Sequence, residues 1–284
     1  AVWYQINREI FEEQYSRPIA MALTWAEHMV LALHRRCTVL ALTEDRRREI
    51  IDAGCASERV AVIPPLMLDS QWPASGAEAE REPLIVWIGK IRRYKCAHHA
   101  IKAMPEVVRR VPRARLVIAG RRDDEAYEEE LRQLAERLGV AKHVELRLNI
   151  SDDEKFALLA RAQAAVITSP VEGFSIVVIE ANRCGTPIVA TEGVPRDTAK
   201  DGYNGYLVPF NDRVALASAL VRVLGDASTF DALTVNARHH AEQFSIERTG
   251  PRLDEAIDAA LRASAHPSAD VSHVASARGR DKAA

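Results

Sequence analysis

Glu172 and Glu180 stand eight positions apart in the run EGFSIVVIEANRCGTPIVAT, residues 172–191. A strand over Ala164–Ser169 leads into this run, and Gly185-Thr186-Pro187 stops the segment that follows as a helix is stopped. The spacing predicts a helix that begins near Ser175. Residues Ser175–Ile179 are rich in β-branched side chains and favour strand by propensity alone. The strand before, the glycine-proline stop and a further strand over Pro187–Thr191 override that preference. Where a strand turns into a helix, unpaired backbone N–H groups converge and attract an anion. Gly173 lets the backbone come close to whatever sits there. Helical side chains lean toward the N-terminus, so Glu180 reaches back to the same ligand. A carboxylate repels phosphate, so Glu180 is expected to accept hydrogen bonds from a diol, as acidic residues do from ribose in nucleotide-binding sheets.

A second group of candidates follows the strand Leu84–Ile88 in the loop Gly89-Lys90-Ile91-Arg92-Arg93-Tyr94-Lys95. Lys90 and Lys95 flank a turn at a strand end, and two ammonium groups there could neutralise a diphosphate leaving group. A solvated basic loop is the plain alternative, and the two glutamates on the same sheet edge favour the phosphate reading. Asn149 and Ile150 end the third strand of this region, where backbone groups could read a nucleobase edge; otherwise they are a helix-entry loop capped by Ser151 or Asp152. Gly193–Asp197 lies at the same edge and reads mostly as a plain turn, as does Asp201–Gly205. His98-His99 and His239-His240 are helix neighbours, which point to different faces, so neither pair is expected to bind a metal. Dinucleotide glycine fingerprints, Walker loops, nucleophile elbows and zinc-protease motifs are missing from the sequence. Two carboxylates could serve a glycosidase, but their place beside an anion site argues for binding roles.

The elements that position these residues alternate regularly. Past a polar stretch of about 66–83, strands over Leu84–Ile88, Arg115–Ala119, His143–Leu148, Ala164–Ser169, Pro187–Thr191 and Gly205–Val208 alternate with helices. Those helices span Ala97–Arg110, Glu125–Leu138, Asp152–Arg161, the one near Ser175, Asp212–Leu224 and Phe230–Gln243. Continuous apolar strands alternating with helices predict an α/β fold with a parallel sheet covered on both faces, whose ligands bind at the carboxyl ends of the strands. The segment before it holds two helical stretches, a strand over Thr38–Leu42, a helix over Thr43–Ala53 and a strand over Val60–Ile63. The expected organisation is a partial first lobe over 1–66 and a linker over 67–82. A main lobe over 83–244, a helix over 245–264 and a disordered tail over 265–284 follow. The chain opens at Ala1 in mid-pattern, so an upstream part is expected.

Bulk properties narrow the partners. The 284 residues carry a formal net charge of −2, which argues against nucleic acid. Four cysteines without paired spacing read as reduced thiols of a cytoplasmic protein. The apolar run Pro18–Leu33 is interrupted by Glu27 and His28 and reads as a core helix, with a membrane-peripheral helix as the alternative.

The run from Leu84 to about Asp212 resembles the donor-binding lobe of retaining GT-B glycosyltransferases of the large family 4 group. The motifs that carry the resemblance are GKIRRYK at 89–95, the two glutamates at 172 and 180, CGTPIVA at 184–190 and GVPRDTAKDGYNGYLVP at 193–209. Their order and spacing are specific, although any pair of glutamates at that distance is common. The resemblance implies a Rossmann-like donor lobe beside a partial second lobe. It implies that Lys90 and Lys95 grip the donor diphosphate and that Glu172 contacts the sugar hydroxyls. Gly89 opens the basic motif, and Gly173, Phe174 and Ser175 form a backbone cradle. Glu180 binds ribose, and Asn149 and Ile150 face the base. Lys90 stands where the family more often has arginine, and Cys96 where it more often has glycine. The helix over Ser245–Ala263 is expected to cross back to the first lobe, whose opening strands, glycine-rich loop and acceptor-side histidine do not occur in the chain.

The expected function is therefore metal-independent, retaining transfer of a sugar from a UDP, GDP or ADP donor to an acceptor hydroxyl, with no cofactor. The acceptor is a glycan, a lipid-linked molecule or a small molecule. The alternatives are a non-catalytic nucleotide-sugar-binding protein and another GT-B enzyme, an epimerase or a phosphorylase.

Overall fold

The structure, a computed structural model, describes residues 2–3, 7–34, 37–65, 67 and 80–265. The first part runs β1 (Val2–Trp3), α1 (Arg8–Gln14), α2 (Arg17–His34), β2 (Val39–Ala41), α3 (Glu44–Asp52) and β3 (Val60–Val62). Its strands pair in parallel in the order β1-β2-β3. Thr43 is extended and its hydroxyl accepts from the Arg46 N–H, which starts α3 where the sequence places a cap. Of the described side chains of α2 only Ala20 and Leu31 are buried. Met21, Trp25 and Leu33 are 73%, 67% and 77% exposed, so α2 is not the core helix expected from its apolar content. A three-stranded sheet has too little surface to cover a helix that is apolar on more than one side.

The larger part runs β4 (Glu82–Ile88), α4 (Ala97–Arg110), β5 (Arg115–Gly120), α5 (Glu125–Arg137), β6 (Val144–Leu148), α6 (Asp152–Arg161) and β7 (Ala162–Ile167). It continues through α7 (Ile176–Arg183), β8 (Ile188–Thr191), β9 (Gly205–Val208), α8 (Arg213–Gly225), α9 (Ala227–Ala241) and α10 (Ile246–Ala265). Its six strands are all parallel in the order β6-β5-β4-β7-β8-β9. Side chains alternate across the sheet. Ile85, Trp87, Leu116 and Ile118 pack in one core with α4, α5 and α8, while Leu84, Val86, Val117 and Ala119 pack in another with α6 and α7. Burial on both faces is why these strands read as continuous apolar runs.

This strand order reverses direction between β4 and β7, and the crevice outside the carboxyl ends of those two strands is where such sheets take ligands. The two turns that rim it carry the sequence candidates: 89–96 after β4 and 168–175 after β7. β7 begins directly after α6 and ends at Ile167, so Thr168 and Ser169 lie in the turn and not in the strand. The proposed linker lies mostly outside the described residues, as does the tail beyond Ala265. α10 touches the first part through the Arg252 guanidinium, which donates to the Val62 carbonyl at 3.3 Å.

Candidate functional site

The turn after β4 is pulled tight by two glycines and one threonine. Gly120 has φ +141, and a Cβ there would stand 2.0 Å from the Gly89 carbonyl oxygen. Only glycine permits that approach. Residues Arg93–Lys95 form a short 3-10 turn, and Cys96, at φ 54, is left-handed where α4 begins. Trp87 Nε1 donates to the fully buried Thr168 Oγ1 at 3.0 Å, and that hydroxyl donates to the Lys95 carbonyl at 3.1 Å. The Lys95 backbone is thus tied to the end of β7. Its ammonium donates to Glu172 Oε1 at 2.7 Å, and the two side chains are only 21% and 13% exposed. Lys90, by contrast, is exposed and makes no ion pair among the described residues.

Glu172 is fixed from the other side. Its N–H donates to the Gly193 carbonyl at 3.0 Å. A Cβ on Gly193 would lie 1.9 Å from the Pro170 carbonyl oxygen, so the two loops meet only because residue 193 is glycine. Gly173 is buried, and Phe174 packs edge-on against Phe244 with ring centroids 5.4 Å apart. Ser175 is left-handed, with φ 67, and no side chain caps the N-terminus of α7. The helix therefore opens with unsatisfied N–H groups beside the Lys95–Glu172 pair.

Glu180 is 9% exposed, and its Oε1 accepts from Lys155 Nζ at 2.7 Å. Lys155 also meets Asp152 at 2.8 Å and lies over the Phe156 ring at 4.7 Å. Burial opposes the charge on Lys155, but hydrogen bonds to Asp152 and Glu180 outweigh it and raise its pKa. A carboxylate offers about four lone-pair sites, so Glu180 keeps acceptor capacity for a diol. Sequence reasoning missed Lys155, because a lysine on α6 carries no motif. It also missed Thr168, whose partner Trp87 is 81 positions away.

Asn149 and Ile150 directly follow β6, two strands from β4. Asn149 has φ 55, and its Oδ1 accepts from the Arg122 N–H at 3.0 Å. Ile150 packs against the core beside α6 and α7. Ser151 caps α6 in a reciprocal box with Glu154, so the helix-entry reading of this loop holds for its capping.

Two expectations are overturned. Gly193–Asp197 is more than a plain turn. The Arg196 N–H donates to Asp45 at 2.8 Å, and the Glu44 N–H donates to Asp197, which joins the loop to the N-terminus of α3. Burial raises the Asp197 pKa, against the bond from Glu44. His98 and His99 do not diverge either, since their rings meet edge to face with centroids 4.4 Å apart. The first turn of α4 bends around the left-handed Cys96, and the Tyr127 hydroxyl holds His98 Nδ1 at 2.7 Å. Burial, then the neighbouring His99 and Lys102, lower the His98 pKa to about 3, and burial with Lys102 lowers that of His99 to about 4. A small cleft lined by His99, Lys102, Thr168, Thr191 and Arg213 opens beside this turn, and neither Glu172 nor Glu180 lines it.

Comparison with known proteins agrees with this geometry. Residues 69–240 match the sequence model of the glycosyl transferases group 1 family. The chain is 31% identical over 242 residues to the D-inositol 3-phosphate glycosyltransferase of Streptomyces bingchenggensis, covering 79% of this chain and 53% of that protein. It is 34% identical over 187 residues to a GDP-mannose-dependent alpha-(1-6)-phosphatidylinositol monomannoside mannosyltransferase of Mycolicibacterium smegmatis, covering 62% of this chain and 47% of the relative. The chain thus spans about half the length of these relatives. Among solved structures it is similar to Anabaena HepE in complex with UDP and glucose, with a TM-score of 0.76 and 20% identity, over 91% of this chain and 71% of that one. No described helix is long and apolar enough to cross a membrane. The matched residues include both turns that rim the crevice, and the six-stranded sheet is parallel throughout: the chain belongs to the glycosyl transferases group 1 family and has the GT-B type of fold.

Proposed function

We propose that this chain carries the donor half of a retaining, metal-independent glycosyltransferase that moves a sugar from a nucleoside-diphosphate donor to an acceptor hydroxyl. The observation that carries the reading is the pair of lysine–glutamate contacts: Lys95–Glu172, whose glutamate lies in the turn before the uncapped start of α7, and Lys155–Glu180, whose glutamate lies within that helix. A lysine has three donors. Lys95 therefore has N–H groups left for a diphosphate while it holds Glu172 in place for sugar hydroxyls. Lys90, exposed at the same strand end, and the N–H groups of α7 supply further positive potential as charge develops on the leaving group. That stabilisation is the main catalytic term of this reading, since it grows from ground state to transition state. Glu180, oriented by Lys155, accepts the ribose diol, and the end of β6 at Asn149 and Ile150 lies toward the base. A glycan, a lipid-linked molecule or a small molecule is the acceptor class.

One relative is GDP-mannose-dependent and one structural neighbour holds UDP, so the base is the first thing to measure. Calorimetric titration of the chain with UDP, GDP and ADP is expected to give micromolar binding of one of them, weakened by about 1–3 kcal/mol in Glu180→Ala. Absence of binding by all three nucleotides overturns the donor-site reading.

A further inference from the structure

We propose that Cys96, His98 and His99 form a binding site for a soft divalent transition cation of the zinc class. One ligand atom from each of the three residues lies within 4.8 Å of the other two. Tetrahedral zinc, with bonds of about 2.0–2.3 Å to nitrogen and sulfur, needs donors roughly 3.3–3.6 Å apart. A shift of roughly an ångström in the side-chain tips closes that gap, well within the reach of χ rotation. The divergence of helix neighbours holds inside a helix. Here Cys96 is left-handed and precedes the first helical residue, so its thiol returns over the turn that carries the two rings.

The donor chemistry selects the ion. Thiolate and imidazole favour zinc-class ions over magnesium or calcium, which prefer oxygen. Cys96 is buried and His98 and His99 are half-buried, while His99 also lines the neighbouring cleft, which gives an ion a route from solvent and room for a water as fourth ligand. A cation on Nε2 of His98 would leave the Nδ1–Tyr127 contact intact, the outer-sphere support that metal-bound histidines usually have. Arg93, Lys95 and Lys102 are close in the chain and oppose a cation. Loss of the Cys96 thiol proton to solvent on binding supplies the compensating negative charge. Occupancy would brace the turn Arg93–Cys96 and with it Lys95, the residue next to the thiolate.

The test uses the full chain stripped of metal by a chelator and titrated with Co²⁺, whose thiolate charge-transfer absorption reports a cysteine ligand. The expected result is a saturable band at one Co²⁺ per chain that Zn²⁺ displaces. Cys96→Ser removes the band, His99→Ala weakens Co²⁺ binding at least about tenfold, and Cys37→Ser, at an exposed thiol in the first part of the chain, leaves it unchanged. A missing band in the native chain, or a band that survives Cys96→Ser, overturns the proposal. Should the fully buried Cys96 not tolerate serine, undiminished Co²⁺ binding in both His98→Ala and His99→Ala overturns it equally.

Discussion

Lys155 gives Glu180 a counter-charge from 25 positions away in the chain. Both side chains are mostly buried, at 17% and 12% exposure, so removing Lys155 leaves the Glu180 carboxylate mostly buried without its counter-charge. Lys155→Met is expected to destabilise the fold by about 1–3 kcal/mol and to weaken nucleotide binding about tenfold. The double variant Lys155→Met/Glu180→Leu separates the two effects, because an apolar pair restores stability without restoring a diol acceptor. Urea unfolding and nucleotide titration of the three proteins check this. Recovery of nucleotide affinity together with stability in the double variant would show that the pair is structural only.

At the scale of elements, α7 carries the site, and its far end is clamped. The Arg81 guanidinium donates to the Ala162 carbonyl at 2.7 Å, to Leu159 at 3.2 Å and to Thr186 Oγ1 at 2.7 Å, and also to the Cys184 carbonyl. A cation at a helix C-terminus also complements the helix dipole. The clamp ties the end of α7, the helix that carries Glu180, to the start of β7. Arg81→Ala is expected to cost about 2–4 kcal/mol, since several carbonyls lose their donor at once. Thermal unfolding measures that loss. A variant as stable as the native chain would mean that solvent replaces the clamp.

At the scale of the whole molecule, three of the described histidines are kept neutral by burial. The pKa of His98 is lowered to about 3, and those of His99 and His240 to about 4. Each folded pKa lies below the unfolded value of 6.5, so the unfolded chain takes up protons first as pH falls. The stability these groups contribute is complete above about pH 6.5 and is lost as pH falls to the folded values, about 4 for His99 and His240 and about 3 for His98, by up to about 1.4 kcal/mol per pH unit for each histidine. Asp197 acts in the opposite sense. Burial raises its pKa from 3.8, so its contribution is present below 3.8 and lost as pH rises through the folded value. Urea unfolding at pH 7.5, 6 and 5 is expected to show falling stability. His240→Leu is less stable at every pH, because the Thr198 carbonyl loses its bond from Nε2, but its pH slope is shallower by one histidine's share. An unchanged slope would remove His240 from the account.

The alternation of strands and helices was legible residue by residue. Ala97–Arg110, Asp152–Arg161 and Gly205–Val208 have the bounds read from the sequence. Caps such as Thr43 and Ser151 and stops such as Gly185 act within a few residues, so local pattern suffices to place them. The same holds for the meeting of Lys95 with Glu172, because alternating strands and helices bring loops after strands to one edge. The sequence left the partners undetermined. Lys155 for Glu180, Thr168 for Lys95, Asp45 and Asp197 between the two sheets, and the meeting of Cys96 with His98 and His99 all depend on which segments pack together or on one left-handed residue. Hydrogen bonds and ion pairs form between atoms about 3 Å apart whatever their distance along the chain, so local sequence sets each element, and only tertiary packing decides which charge answers which.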